Sequence, residues 1–176
     1  MMTTQRTLLL LRHAKSDWSG RTADDFNRPL SGRGKHDSPR MGQWMRSQGL
    51  LPDYVVSSPA KRARQTCKQV CHELGIDSAG IRRDDRLYLA SLYDLLAVIA
   101  DCPARTASML LVGHNPGLES LLRHLAGGSV PEPADGKLMP TATLAVLDIQ
   151  EDWQHLHGDS ARLVELVRPR ELPICP

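Results

Sequence analysis

The sequence predicts an α/β fold: a three-layer αβα sandwich, a mainly parallel central sheet with helices on both faces. Two observations carry this. Short apolar runs alternate with longer amphipathic ones, the order that successive βα units produce. The runs Leu8-Leu9-Leu10-Leu11, Tyr54-Val55-Val56 and Met109-Leu110-Leu111-Val112 are apolar at consecutive positions, as in strands covered on both faces.

In chain order, residues 7–11 form the first expected strand, followed by a polar loop through Asp24, Asp25, Asn27 and Pro29. A helix is expected from near Ser31–Gly34 to Gly49, with Met41, Trp44 and Met45 on one face and a start loosened by Pro39. Residues 53–57 read as a second buried strand. Ser58-Pro59 then opens a helix with proline in its first turn, and Gly75 closes it. Residues 81–87 suit a short strand. Ser91 caps a helix that buries Leu92, Leu95, Leu96 and Ile99 and stops before Pro103. Residues 108–112 make the next buried strand, and Asn115-Pro116 opens a helix to Gly127-Gly128. Residues 128–139 read as a surface loop. Residues 141–149 and 162–167 read as two late strands, antiparallel to each other.

A chain of 176 residues is sized for a single domain, here residues 1–176. Its net charge of +2 is too small to indicate nucleic acid or an anionic membrane as partner. No stretch approaches the roughly 20 apolar residues of a membrane span. The Leu8–Leu11 run is too short for a signal-peptide core, so a cytoplasmic location is expected, and one compact domain with no apolar helix face to spare makes a monomer the expectation. Cys67 and Cys71 lie one helical turn apart beside His72, but Cys102 and Cys175 show no spacing to complete a metal site. Free thiols are the expectation.

Three strand-to-helix junctions carry the chemistry. The first supplies Arg12, His13, Lys15 and Ser16; the second places Arg62 in the first turn of a helix; the third supplies His114 and Asn115. Ligands bind beyond the carboxyl ends of strands in open α/β sheets, so parallel neighbours would gather these side chains on one rim. Two arginines, two histidines and helix N-termini describe a pocket for a phosphoryl group. Each unit-charge pair at contact contributes about 4 kcal/mol at an effective dielectric near 20, and arginine adds a fork matched to two phosphate oxygens. The arginines disfavour a further positive charge, which keeps His13 neutral and nucleophilic. His114 suits hydrogen-bond donation to the transferring group. A two-histidine metal site at His13 and His114 is disfavoured, because the arginines would repel a cation. No phosphate-binding glycine loop, serine elbow or catalytic-cysteine context is present.

These motifs resemble the histidine phosphatase superfamily, also called phosphoglycerate-mutase-like. They are Leu11-Arg12-His13-Ala14, Ser57-Ser58-Pro59 with Arg62-Ala63 and Thr66, and Val112-Gly113-His114-Asn115-Pro116. Within the superfamily the chain is most similar to small SixA-type phosphohistidine phosphatases. Arg12-His13-Ala14-Lys15-Ser16 with Trp18, Arg28-Pro29-Leu30 before Arg33-Gly34, Pro140-Thr141, Trp153 and Pro169-Arg170-Glu171-Leu172 carry that narrower likeness. The resemblance implies that His13 is phosphorylated during turnover and that Arg12, Arg62 and His114 hold the phosphoryl group. It implies no metal and no cofactor. Substrate binding is expected from Arg12, Arg62, Ser16 and Asn115.

The chain departs from the family in one place. Larger members carry an acidic residue near where this chain has Leu87-Tyr88-Leu89-Ala90-Ser91. Asp84, Asp85 and Asp94 flank that segment, while Asp17, Asp24 and Asp25 offer alternatives from the first loop. An alkoxide leaving group needs a proton, an effect worth about 10²–10⁴-fold, whereas a protonated imidazole can leave phosphorus without one. The expected function is therefore a metal-independent phosphatase acting on phosphohistidine in a protein. The alternatives are a phosphomonoesterase for a small phosphorylated metabolite and a non-catalytic phosphate-binding module.

Overall fold

Leu8, Leu9, Leu10 and Leu11 are all inaccessible to solvent, because the strand that holds them is covered on both faces. A computed structural model describes residues 5–20 and 24–173; Cys175 lies outside them. The strand is β1 (Arg6–Arg12), followed by α1 (Gly32–Ser47), β2 (Tyr54–Ser57), α2 (Lys61–Leu74), β3 (Ile81–Arg83) and α3 (Leu92–Ala100). Then come β4 (Ser108–Gly113), α4 (Gly117–Ala126), β5 (Leu144–Ile149) and β6 (Ala161–Val167). The six strands form one sheet in the order β3-β2-β4-β1-β5-β6. β1, β2, β3 and β4 pair in parallel, β5 runs antiparallel to β1, and β6 runs antiparallel to β5.

The two-residue period of a strand divides each apolar run between two layers. Leu9, Leu11, Val55, Leu110 and Val112 pack with Met41 and Met45 of α1 and with Ala63, Cys67 and Val70 of α2. Leu8, Leu10, Val56, Met109 and Leu111 pack with Leu95 and Ile99 of α3 and with Leu118, Leu121 and Leu125 of α4. Burying each such side chain contributes about 1.5–3 kcal/mol. The three layers follow from the sequence at this level.

Several boundaries differ from expectation. Pro39 lies inside α1 without delaying its start, since Ser31 caps the helix by accepting from the Gly34 N–H. α2 begins at Lys61 rather than at Ser58-Pro59, because the Ser58 N–H still bonds the Val112 carbonyl of β4 at 2.9 Å. Gly75 ends α2 in the left-handed conformation, φ 74°, which glycine adopts at little cost. Residues 81–87 split into the three-residue β3 and a 3₁₀ turn, Asp85–Leu87, where the Asp84 side chain accepts from the Arg86 N–H. α4 starts at Gly117, after a turn through Asn115-Pro116. The connection expected to lie on the surface ends buried: Leu138 and Met139 are inside the core. No described helix is long and apolar enough to cross a membrane.

Candidate active site

The register of β1 against β4 pairs Arg12 with Gly113, so the residues that follow, His13 and His114, emerge side by side. The His13 N–H continues the ladder to the Gly113 carbonyl at 3.1 Å. Their rings lie 5.0 Å apart, tilted by 53°. β2 flanks β4 on its other side, with Ser57 opposite Val112, and it delivers Arg62 as the second residue of α2. The loop after β1 is fastened to that helix by the Ala14 N–H donating to Thr66 Oγ1 at 3.0 Å. Arg12, His13, Arg62 and His114 are thereby brought to one rim.

His13 is oriented by its own backbone. Nδ1 sits 2.7 Å from the Ala14 carbonyl oxygen, which can only accept, so Nδ1 carries the proton and Nε2 holds the lone pair. Arg62 Nε lies 3.4 Å from that Nε2. Burial, and then the charges of His114, Arg62 and Arg12, push the His13 pKa down to about 3 against the opposing Ala14 hydrogen bond. Burial and the Arg62 charge likewise lower His114 to about 4, partly countered by Asp25. Both rings are uncharged at neutral pH.

His114 Nε2 meets Ser58 Oγ at 2.7 Å, and Ser58 Oγ also accepts from the Ala60 N–H. A hydroxyl both donates and accepts, so Ser58 can serve the neutral ring or the imidazolium. His114 Nδ1 and Arg12 Nε are buried without a hydrogen-bond partner. Two orphaned nitrogens beside the uncharged His13 ring suit an anion with several acceptor oxygens.

The loop before α1 contributes a residue that could not be singled out beforehand. Asp25 binds Arg62 through Oδ2 at 3.0 Å and through its carbonyl at 2.6 Å, and it binds Arg28 through Oδ1 at 2.6 Å. The Tyr88 hydroxyl donates to Asp25 Oδ2 at 3.0 Å, and the Tyr88 ring stands edge-on to His114 with centroids 5.8 Å apart. Burial raises the Asp25 pKa, but Tyr88, Arg62 and Arg28 outweigh it and hold the carboxyl below its ordinary value. Burial and Asp25 together raise the Tyr88 pKa. Four of the other candidate acids are engaged elsewhere: Asp24 with Phe26 and Asn27, Asp17 with Ser19, Asp84 with Arg86, and Asp94 with Ser91.

Among the described residues, no hydrogen bond joins the two other expected binding residues to Arg12, His13, Arg62 or His114. Ser16 is buried in an antiparallel bridge with Leu30, and no hydrogen bond links its hydroxyl to the histidines or arginines. Asn115 directs Nδ2 to Glu119 Oε1 at 2.8 Å and to the Met139 carbonyl at 3.0 Å. That carbonyl also accepts from Arg12 NH1 at 2.9 Å, so Asn115 braces the support of Arg12. Its remaining oxygen is an acceptor, which a phosphate dianion does not seek. Among the described residues, no group of three or more histidine, cysteine or acidic side chains is placed to hold a metal.

Guanidinium groups around an uncharged ring nitrogen with an available lone pair suit a dianionic group, so fold and site together define a phosphoryl-transfer protein of α/β type. Residues 8–88 match the histidine phosphatase superfamily (branch 1), and the chain belongs to that superfamily. The candidate phosphohistidine phosphatase SixA from Nakamurella multipartitia is 31% identical, with a TM-score of 0.79 over 94% of this chain and 96% of that one. Its counterpart from Agrobacterium tumefaciens is 32% identical, with a TM-score of 0.78 over 93% and 98%. An uncharacterized protein of Mycobacterium leprae (strain TN) is 32% identical over 166 residues, 91% of this chain and 100% of its own. The chain is of the SixA type and is a hydrolase acting on phosphoryl groups.

Proposed function

We propose that this protein removes the phosphoryl group from phosphohistidine in a protein substrate, through a transient phosphorylated His13. The observation that carries this is the Nδ1 bond of His13 to the Ala14 carbonyl, which leaves Nε2 as the attacking nitrogen. In the first displacement the Nε2 lone pair forms a bond to phosphorus while the bond to the substrate nitrogen breaks. The substrate imidazole, already protonated at its other nitrogen, departs neutral. In the second, water attacks phosphorus, inorganic phosphate leaves, and His13 Nε2 recovers its lone pair. Arg12, Arg62 and His114 hold the phosphoryl oxygens, and His114 becomes imidazolium as the anion's charge reverses the local field.

The state of the carboxylates supports a P–N substrate. Asp25, beside the histidines, is held ionised by its partners, and Glu119 uses one oxygen to accept from Asn115 and from the Met139 N–H. Neither is set up to protonate an alkoxide. Among the described residues the free thiols Cys67, Cys71 and Cys102 are buried, which is compatible with a reducing, cytoplasmic compartment.

Rapid quench with a labelled phosphohistidine donor tests the nucleophile. Label is expected on the wild type and absent from His13→Ala; equal labelling of both overturns the assignment. A substrate panel tests the leaving group. Faster turnover of small phosphate esters than of a phosphohistidine peptide, abolished by Asp25→Asn, would instead establish the phosphomonoesterase reading.

A further inference from the structure

Beyond Arg12 a second concavity of about 370 Å³ opens. Three separated parts of the chain build its wall: Lys15 and Arg33 from the β1–α1 side, Asp135 and Lys137 from the connection into β5, and Arg168 and Arg170 after β6. With Arg12, six cations face one carboxylate. Asp135 is already divided between Arg168 at 3.2 Å and Arg170 at 3.7 Å, and Arg170 also has Glu171 at 4.0 Å. Arg33 has Asp37 at 3.3 Å. Among the described residues, Lys15 and Lys137 have no carboxylate in ion-pair range.

The wall is built rather than merely solvated. The Arg168 side chain is only 8% exposed, and it ties Asp135 to the Lys137 carbonyl through its two terminal nitrogens. This holds the connecting segment against the end of β6 with its charges turned toward the groove. Repulsion among so many cations costs stability unless an anion shares the groove. Arg12 lines both spaces, so whatever occupies the groove is continuous with the phosphoryl group.

We propose that this groove docks an acidic stretch of the substrate protein, with carboxylates close to the phosphorylated histidine. The proposal rests on the protein-phosphohistidine reading above and adds a specificity to it. Carboxylates at the rim would speed encounter and set the register of the bound segment, with a strong dependence on salt. A small phosphoryl donor would not reach these residues and would be indifferent to them.

The test uses Lys137→Glu/Arg170→Glu, two exposed positions outside the phosphoryl site. Three donors are compared: phosphoramidate, a phosphohistidine peptide flanked by glutamates, and the same peptide flanked by serines. A fluorescent, unphosphorylated glutamate peptide reports binding by anisotropy. Wild-type kcat/KM is expected to favour the glutamate peptide about tenfold at low salt, the effect of a few partly screened contacts, and to lose that preference near 0.5 M salt, where the screening length is only a few ångströms. The double variant should lose the preference and the anisotropy signal while hydrolysing phosphoramidate as before. Equal wild-type kcat/KM for the two peptides, or equal anisotropy for wild type and variant, overturns the groove. Hydrolysis of small donors but of neither peptide overturns the protein-substrate reading instead, and anisotropy then decides the groove alone.

Discussion

Arg62 Nε approaches His13 Nε2 to 3.4 Å, so in the resting protein a guanidinium covers the lone pair proposed to attack phosphorus. The contact is long for a hydrogen bond and easily exchanged for a phosphoryl oxygen. In the proposed mechanism Arg62 thereby covers the nucleophile and receives the anion without moving far, because Asp25 holds its two terminal nitrogens.

Replacing Arg62 should accordingly cost turnover more than folding. Arg62→Ala is expected to lower kcat by roughly 10²–10³, the usual effect of removing one preorganised donor from a transition-state clamp. Arg62→Lys restores the charge but not the planar fork and should recover only part of that loss. Steady-state kinetics alongside urea denaturation checks this. A kcat unchanged in both variants would remove Arg62 from the clamp.

The pH profile should show where the histidines titrate. With His13 at about 3 and His114 at about 4, neither ring should change charge between pH 8 and about 5 in the free protein. Their NMR resonances should stay fixed over that range, and added orthovanadate should raise the His114 pKa. The sign for stability follows from proton counting. Between these values and the ordinary 6.5, the unfolded chain binds more protons than the folded one, so stability rises with pH up to about 6.5 and is lost on acidification below it. His13→Asn should flatten that slope. Two rings titrating near 6.5 in the folded protein would contradict the buried site.

The histidines were legible because each ends an apolar run, and a parallel sheet aligns such ends. Asp25 was not, since three loop aspartates, Asp17, Asp24 and Asp25, carry no periodicity to rank them. Only the fold shows which of them meets Arg62. Tyr88 was visible only as the place where a carboxylate was missing, although it is the residue that reaches Asp25. The Ser57-Ser58 pair lay in plain view after a buried strand, but a serine that follows a strand usually only caps the next helix. The Gly- and Pro-rich segment before β5 hid an apolar pair, Leu138-Met139, whose burial lets a backbone carbonyl hold Arg12. Helix starts shifted wherever a strand ladder ran on past its apolar run, as at Ser58.

Asp25→Asn separates a positioning role from an acid. The substitution removes the negative charge that faces Arg62 and Arg28 while keeping the shape. Loss of such charge-assisted bonds should lower kcat/KM roughly ten- to a hundredfold, equally for phosphohistidine peptides and for phosphate esters. A fall confined to ester substrates would make Asp25 a proton donor.

Gly34 limits how closely α1 can approach the loop that follows His13. A Cβ there would run into the carbonyl oxygen of Lys15, a backbone atom already accepting from the Ser31 N–H and Oγ. Gly34→Ala must therefore displace either the helix start or the catalytic loop. A cost of about 1–3 kcal/mol is expected, read as a lower urea midpoint with unchanged slope, together with weaker phosphate binding. An unchanged midpoint would show that the two segments separate freely.

Ser58 is the remaining support of His114, and its removal has a chemical signature as well as a cost. Without Oγ, His114 Nε2 loses its 2.7 Å partner and the Ala60 N–H loses its acceptor at the entrance to α2. An unsatisfied buried group costs about 1–3 kcal/mol, so Ser58→Ala should both destabilise the protein and lower kcat about tenfold. The ring would also be free to move its proton from one nitrogen to the other, which ¹⁵N chemical shifts of His114 would register. Ser58→Thr keeps the hydroxyl and should restore the tautomer and most of the rate. If Ser58→Ala unfolds more easily yet keeps both the wild-type tautomer and the wild-type kcat, the hydroxyl serves the start of α2 alone, and another group must orient His114.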